Sequence, residues 1–312
     1  MISAIQLQQL FTPTEIIGIL KKGIRAYGAG EYYIPQRMHL EQEDMTYLLM
    51  PAISQRFFCT KLVSVIPKNK EKNLPIIQGV LVLNERATGA VRATMEAPMI
   101  TALRTAAVGA IGLELISLPN TQKIGVIGCG VQGFWQSVFA QAIRPVRQIY
   151  AHSKTYASFE AYQSKLNAQY PDLEVIWCER AEVVVQAAEV IYACTNANTP
   201  LFPNEESLVK NKQFISVGSF QKDMQELPDV VYQQADLVLL DTMTAKEEVG
   251  DIIFPLQKGI LKEDQLLSLS SALNLPEGNL QKKTIVFKSV GMAAFDLALA
   301  VAVYEKKQKV KG

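Results

Sequence analysis

Apolar and polar positions follow one rhythm in the first third of the chain and another beyond it. Up to about residue 100 the runs are short and alternating: "TYLLM", "FFCTKLVSV", "IIQGVLVLN" and "AVRATME". A period of two marks strands with one buried face. The turn-like "ERATG" between the last two predicts a mostly antiparallel sheet. A helix is predicted ahead of it in "TPTEIIGILKKGIRAYGAG". There Thr12 and Glu15 have capping-box spacing, Pro13 suits the first helical position, and Gly28 and Gly30 supply the stop. The small-residue-rich "PMITALRTAAVGAIGLELI" predicts a second helix. From Lys123 onward the apolar runs "IGVIG", "QIYA", "EVIW", "EVIYAC", "FISVG" and "DLVLLD" alternate with helical spacers such as "YASFEAYQSKLNAQY". That alternation implies βαβ units and a parallel sheet. A late strand, "TIVFK", and a final apolar helix, "AAFDLALAVAVYEKK", complete the pattern; periodicity alone leaves open which part of the protein this helix packs against.

Composition narrows the classes. The 312 residues suit about two domains, and 49% hydrophobic content supports a sizeable core. A net charge of +1 argues against nucleic acid or an anionic membrane as the main partner. The longest apolar tract contains Lys288 and Asp296, so a buried segment is expected rather than a membrane span. The start, "MISAIQLQQLF", lacks the basic region and cleavage site of a signal peptide. The four cysteines (Cys59, Cys129, Cys178 and Cys194) are scattered without a CxxC pair, which fits a reduced cytoplasm and offers no zinc spacing. The two histidines, His39 and His152, are isolated, so no metal site is expected.

The stretch "KIGVIGCGVQGFWQS" adds chemistry. Gly128, Gly130 and Gly133 follow a strand and open a helix within βαβ units, the context that turns GxGxxG into a dinucleotide signature. Gly128 permits the tight turn, Gly130 lets pyrophosphate approach the backbone, and Gly133 lets helix and strand pack. Val131 and Gln132 begin the helix, whose N-terminus favours negative charge. The alternative is a glycine-rich turn without a ligand. An NAD site usually carries an acid at the end of the next strand. Here that region reads "QIYAHSKT", with His152, Ser153 and Lys154 in the acid's place. A hydroxyl and a cation suit a 2′-phosphate, so NADP(H) is favoured over NAD(H); the alternative is a solvated turn with NAD bound less selectively. The expected fold class is therefore α/β, a Rossmann NAD(P)-binding domain over residues 120–288 beside an α+β domain over residues 1–119.

Two cations stand among apolar or small neighbours, and a third lies in a loop. In "FFCTKLVSV" the strand period puts Lys61 on one face with Phe57, Cys59, Val63 and Val65. A desolvated lysine has a lowered pKa and can exchange protons near neutrality, whereas a snorkelling edge-strand lysine is the structural alternative. Arg104 lies among small and apolar neighbours in "ITALRTAAVGA" and suits a carboxylate or a structural ion pair. Arg37, in "YIPQRMHL", is a loop arginine that solvation alone could explain. With a dinucleotide turn, these cations point to a small anionic substrate, such as an amino or keto acid.

The blocks "PQRMHL", "LLMPA", "TKLVSVIPKN", "GVLVLNERATGAVRA", "ALRTAA", "GVIGCGVQG", "ACTNANTPLF", "VGSFQKDMQEL" and "FKSVGMAAFD" together resemble the ornithine cyclodeaminase/mu-crystallin family nearly end to end. That family also includes archaeal-type alanine dehydrogenase and ketimine reductases. The resemblance implies that Arg37 binds the substrate carboxylate and that Lys61 contacts the substrate and shuttles a proton. It implies that Arg104 and Thr105 sit at the junction of substrate and cofactor. Thr195 and Asn196 would line the nicotinamide ribose region, and Ser289, Gly291 and Met292 would approach the ring. Asp296 is taken as a structural helix-start acid. The resemblance also implies a homodimer, with residues 289–312 returning to the substrate and dimerisation domain. One departure matters: the loop aspartate of ornithine cyclodeaminases aligns with Phe220 here, and Asp223, in "DMQEL", follows the dehydrogenase and reductase branch. The expected activity is NAD(P)H-dependent reduction of an imino acid, or its reverse, with Asp223 counted in the catalytic set. The alternatives are a cyclodeaminase that recycles NAD and a non-enzymatic binding protein.

Overall fold

A computed structural model of the chain describes residues 1–43, 45–276, 278–281 and 284–311. In chain order its elements begin with helices α1 (Ala4–Leu10) and α2 (Pro13–Gly28). Five strands follow: β1 (Met38–Gln42), β2 (Met45–Ile53), β3 (Phe57–Val65), β4 (Ile77–Glu85) and β5 (Val91–Glu96). Then come α3 (Ala97–Ile116), β6 (Lys123–Ile127), α4 (Val131–Gln141), β7 (Gln148–His152), α5 (Tyr156–Gln169), β8 (Glu174–Trp177), α6 (Ala181–Ala187) and β9 (Val190–Ala193). The remainder is α7 (Glu206–Val209), β10 (Gln213–Ser216), α8 (Asp229–Gln234), β11 (Leu237–Leu240), α9 (Ala245–Glu248), α10 (Gly250–Gln257), β12 (Leu266–Ser268), α11 (Leu269–Ala272), β13 (Ile285–Lys288) and α12 (Ala293–Lys311).

The chain forms two compact units, Met1–Arg104 with Met292–Gly312, and Thr105–Gly291. The division falls inside α3, whereas sequence patterning points to residue 119. An unbroken 20-residue helix of small and apolar residues carries no punctuation at Arg104, so no pattern could reveal a division there. α3 is long and apolar enough to cross a bilayer, yet 78% of its most apolar window is buried within the protein, as in a core helix.

In the first unit β1 to β5 form an antiparallel meander in chain order. Strand β3 alternates as its sequence predicts, with Phe57, Cys59, Lys61 and Val63 all buried. Helix α12 packs against α2 and against β2 and β3. The α2 N-terminus carries the expected capping box: Thr12 Oγ1 accepts from Glu15 N and Glu15 Oε2 accepts from Thr12 N.

The second unit is an eight-stranded parallel sheet in the order β12-β11-β13-β10-β9-β6-β7-β8. From β6 the chain moves outward through β7 and β8, then returns to the other flank of β6 at β9. The strand order therefore reverses between β6 and β9, and ligands in open α/β sheets bind beyond the carboxyl ends of the strands at such a point. Ile127, Ile191, Phe214, Val238 and Val286 contribute to its core from successive strands. The α/β class expected from the hydrophobic rhythm is the class observed.

Candidate active site

Within the first unit Lys61 is 2% exposed, so its side chain does not snorkel to solvent. Its Nζ donates to Asp296 Oδ2 at 2.9 Å and to Thr101 Oγ1 at 3.3 Å. Asp296 lies in the first turn of α12 and is wholly buried. On its other side Arg104 Nε lies 3.3 Å from Asp296 Oδ1, and neither of those two atoms makes an aligned hydrogen bond within the protein. Burial pulls the Lys61 ammonium down to about 8, with Arg104 and half-buried Arg37 adding to the shift and Asp296 opposing it. Lys61, Arg104 and Arg37, singled out separately along the chain, thus share one electrostatic neighbourhood. Asp296, expected to be a helix-start acid of structural interest only, is their shared counter-ion.

Within the second unit the glycine turn has a dinucleotide-binding form. Gly128 has φ +106°, and a Cβ there would lie 2.6 Å from Cys194 O. A Cβ on Gly133 would run into Gly128 O, so helix and turn close up only on glycine. At Gly130 there is open space, and α4 begins with no side chain capping its N-terminus. Val131 is exposed at the mouth of the turn and Gln132 is half-buried beside it. Amides without a capping side chain, a helix N-terminus and room for close approach fit a pyrophosphate. At the end of β7, His152 Nδ1 lies 2.9 Å from Cys178 O and its ring stacks on Trp177, while Ser153 is half-buried and Lys154 exposed.

Thr105 is buried, and its carbonyl accepts from Gln136 Nε2 at 3.1 Å. Ser289 Oγ and Gly291 N both donate to the buried carboxylate of Asp241, each at 2.7 Å, which fixes the loop leaving β13. Met292 is buried and Asn196 exposed. Asp223 is exposed and joins no buried network in the structure; three residues on, Glu226 is wholly buried and accepts from Thr195 N at 2.6 Å. A second buried ion cluster accompanies it: Lys288 Nζ lies 3.2 Å from Asp251 Oδ2, both residues being inaccessible to solvent. Glu226, Asp241 and Asp251 carry no motif or spacing that marks them in the sequence. The one available signal was an acid in an otherwise apolar or turn segment. Burial raises the thiols of Cys59, Cys129, Cys178 and Cys194, Cys129 to about 12, so none is a ready nucleophile at neutral pH. Among the described residues no group of three His, Cys, Asp or Glu side chains could hold a metal ion.

A parallel sheet with a glycine turn at its switch point, in a chain that also carries a buried Lys–Asp–Arg cluster, defines the nucleotide-dependent oxidoreductase class. The chain belongs to the ornithine cyclodeaminase/mu-crystallin family, whose profile matches residues 1–311. It is 28% identical over 315 residues to a Δ1-pyrroline-2-carboxylate reductase of Bacillus cereus, covering 98% of this chain and 95% of that one. It is 27% identical over 303 residues to an alanine dehydrogenase of Archaeoglobus fulgidus, covering 96% and 92%. In fold it matches the Δ1-pyrroline-2-carboxylate reductase of Thermococcus litoralis solved with NADH and L-proline, with TM-score 0.92, 24% identity and 99% and 98% coverage.

Proposed function

We propose that this protein is an NAD(P)H-dependent oxidoreductase that reduces the C=N bond of a small imino-acid carboxylate to give an amino acid, and runs the reverse oxidation. The substrate class is a cyclic ketimine such as Δ1-pyrroline- or Δ1-piperideine-2-carboxylate, or the imine of pyruvate. The observation that carries this is the Lys61 ammonium: buried, hydrogen-bonded to Asp296 and titrating at about 8, it can hold or release a proton at Nζ close to neutral pH. Lys61 keeps the imine nitrogen protonated. Asp296 orients Nζ and keeps the ammonium from losing its proton too early. Arg104 and Arg37 hold the substrate carboxylate, whose charge the two cations flanking Asp296 favour. Gly128, Gly130, Val131, Gln132 and Gly133 would hold the pyrophosphate, Thr195, Asn196 and Thr105 the nicotinamide ribose region, and Ser289, Gly291 and Met292 the ring. When bound, the coenzyme supplies the hydride.

The finer assignments extend the same reading. NADPH is preferred over NADH, because Ser153 and Lys154 offer a hydroxyl and a cation where an NAD site carries an acid. The working form is a homodimer. Met38, Leu40, Leu62 and Ile77 are exposed apolar residues of the first unit that a second copy would cover, and light scattering checks the mass. Asp223, assigned to the catalytic set with the reductase branch, is exposed.

The test is a panel of cyclic imines, pyruvate with ammonia, ornithine, proline and alanine, each with both coenzymes, following absorbance and ammonia in parallel. Stoichiometric NADPH consumption with a cyclic imine is expected. Ammonia release from ornithine without net coenzyme turnover would establish a cyclodeaminase instead. Phe220 stands at the position where that chemistry needs an aspartate, and a phenyl ring accepts no proton.

A further inference from the structure

The segment leaving β9 borders the switch point and carries Thr195. Its position is set from beneath. Thr195 N and Oγ1 both donate to Glu226 Oε1, at 2.6 and 2.8 Å. Glu226 Oε2 accepts from Ser216 Oγ at 2.9 Å, Gly218 N at 2.9 Å and Ser219 N at 3.0 Å. One carboxylate thus ties the loop after β9 to the loop after β10. The fit is tight: a Cβ on Gly218 would collide with the Thr195 backbone and come within 2.5 Å of Glu226 Oε1. Gly128 of the phosphate turn packs on the same segment, so a displaced Thr195 segment would press on the turn. Glu226 is itself fixed. Asp251 Oδ1 accepts from Glu226 N at 2.9 Å and Leu227 N at 3.2 Å, and Lys288 donates to Ser216 Oγ and Ser219 Oγ.

We propose that Glu226 is a positioning residue for the coenzyme, holding the Thr195 segment at the switch point through its carboxylate without reaching the coenzyme itself, a role that rests on the nucleotide-binding reading of the second unit. It is wholly buried and both its oxygens are taken by protein donors, which leaves none for a ligand. The ionised form is needed, because its two oxygens accept five hydrogen bonds. Glutamine offers one acceptor oxygen and turns an NH2 group toward the other donors.

The experiment titrates the full chain with NADPH and with NADH by fluorescence, without substrate, in wild type, Glu226→Gln, Thr195→Val and the double variant. For folded Glu226→Gln, Kd is expected to rise roughly tenfold, with the KM of the imino acid changed less than about twofold. Thr195→Val should cost about threefold, and the double variant should bind no worse than Glu226→Gln alone, since both act on one linkage. An unchanged Kd in folded Glu226→Gln, or a double variant whose losses multiply, overturns the proposal; a merely structural Glu226 would lower only the unfolding midpoint. If Glu226→Gln does not fold, Ser216→Ala takes its place. It deletes one donor beneath the loop and should raise Kd about twofold to threefold, and an unchanged Kd overturns the role. Wild type that binds neither coenzyme overturns the nucleotide-binding reading itself, whereas wild-type binding with indifferent variants overturns the positioning role alone.

Discussion

Each unit of the molecule buries a lysine against an aspartate, and the two pairs are built to opposite ends. In the first unit Lys61 shares Asp296 with Arg104, so two cations flank one buried carboxylate, and Arg37 lies close enough to depress the lysine further. Arg104 Nε and Asp296 Oδ1 keep unspent hydrogen-bonding capacity. In the second unit Lys288 faces two carboxylates, Asp251 and Glu226, whose oxygens are filled by backbone amides and serine hydroxyls. A saturated buried network specifies one arrangement, whereas the first cluster leaves a donor and an acceptor for a further partner. Burial alone therefore does not mark a reactive lysine; the balance of its partners does.

The same substitution in both clusters gives the sharpest contrast. Lys288→Met leaves the Asp251 carboxylate uncompensated beside Glu226 and is expected to cost about 3–5 kcal/mol of unfolding free energy in denaturant titrations. Lys61→Met leaves Asp296 compensated by Arg104, so its stability should move little, while turnover on the imine should fall about 10²–10³-fold with the NADPH Kd almost unchanged. Equal losses of turnover and coenzyme affinity at Lys61 would remove its proton role.

Changing pH separates function from stability at Lys61. Its folded-state value of about 8 lies below the ordinary 10.5, so the unfolded chain holds this proton more tightly. Between those values stability should rise with pH, by about 1–3 kcal/mol relative to Lys61→Met, because the cost of a buried ammonium is full below pH 8 and disappears as the group deprotonates. The rate of imine reduction should move the other way and fall as pH passes about 8. Parallel changes in the two would show that another group titrates. The smallest expected effect lies at the end of β7, where Lys154→Glu should shift preference from NADPH toward NADH by about tenfold in relative kcat/KM; an unchanged ratio would place the 2′-phosphate elsewhere.

The parts of this arrangement that sequence could show are those with local signatures. Lys61 stands out because strand periodicity puts it on a face with Phe57, Cys59 and Val63. The glycine turn stands out because its spacing, strand and helix are contiguous. Asp296 does not, since its partner lies 235 positions away and a first-turn helix acid is ordinary. Glu226 does not stand out beside Asp223 in the same block, because linear order cannot tell an exposed acid from a buried one three residues later. Strand β1 shows no alternation, all five residues being exposed, and β12 has only three residues, so neither leaves a pattern.

The two halves of the Lys61 pair also meet at very different times in the life of the chain. The lysine leaves the ribosome early, within the meander, while its aspartate arrives on the last helix. Until Asp296 is made, the first sheet carries Lys61 without the carboxylate that pairs with it. A chain cut short before residue 293 would lack both that carboxylate and the helix that packs on β2 and β3, and is expected to leave the sheet uncovered.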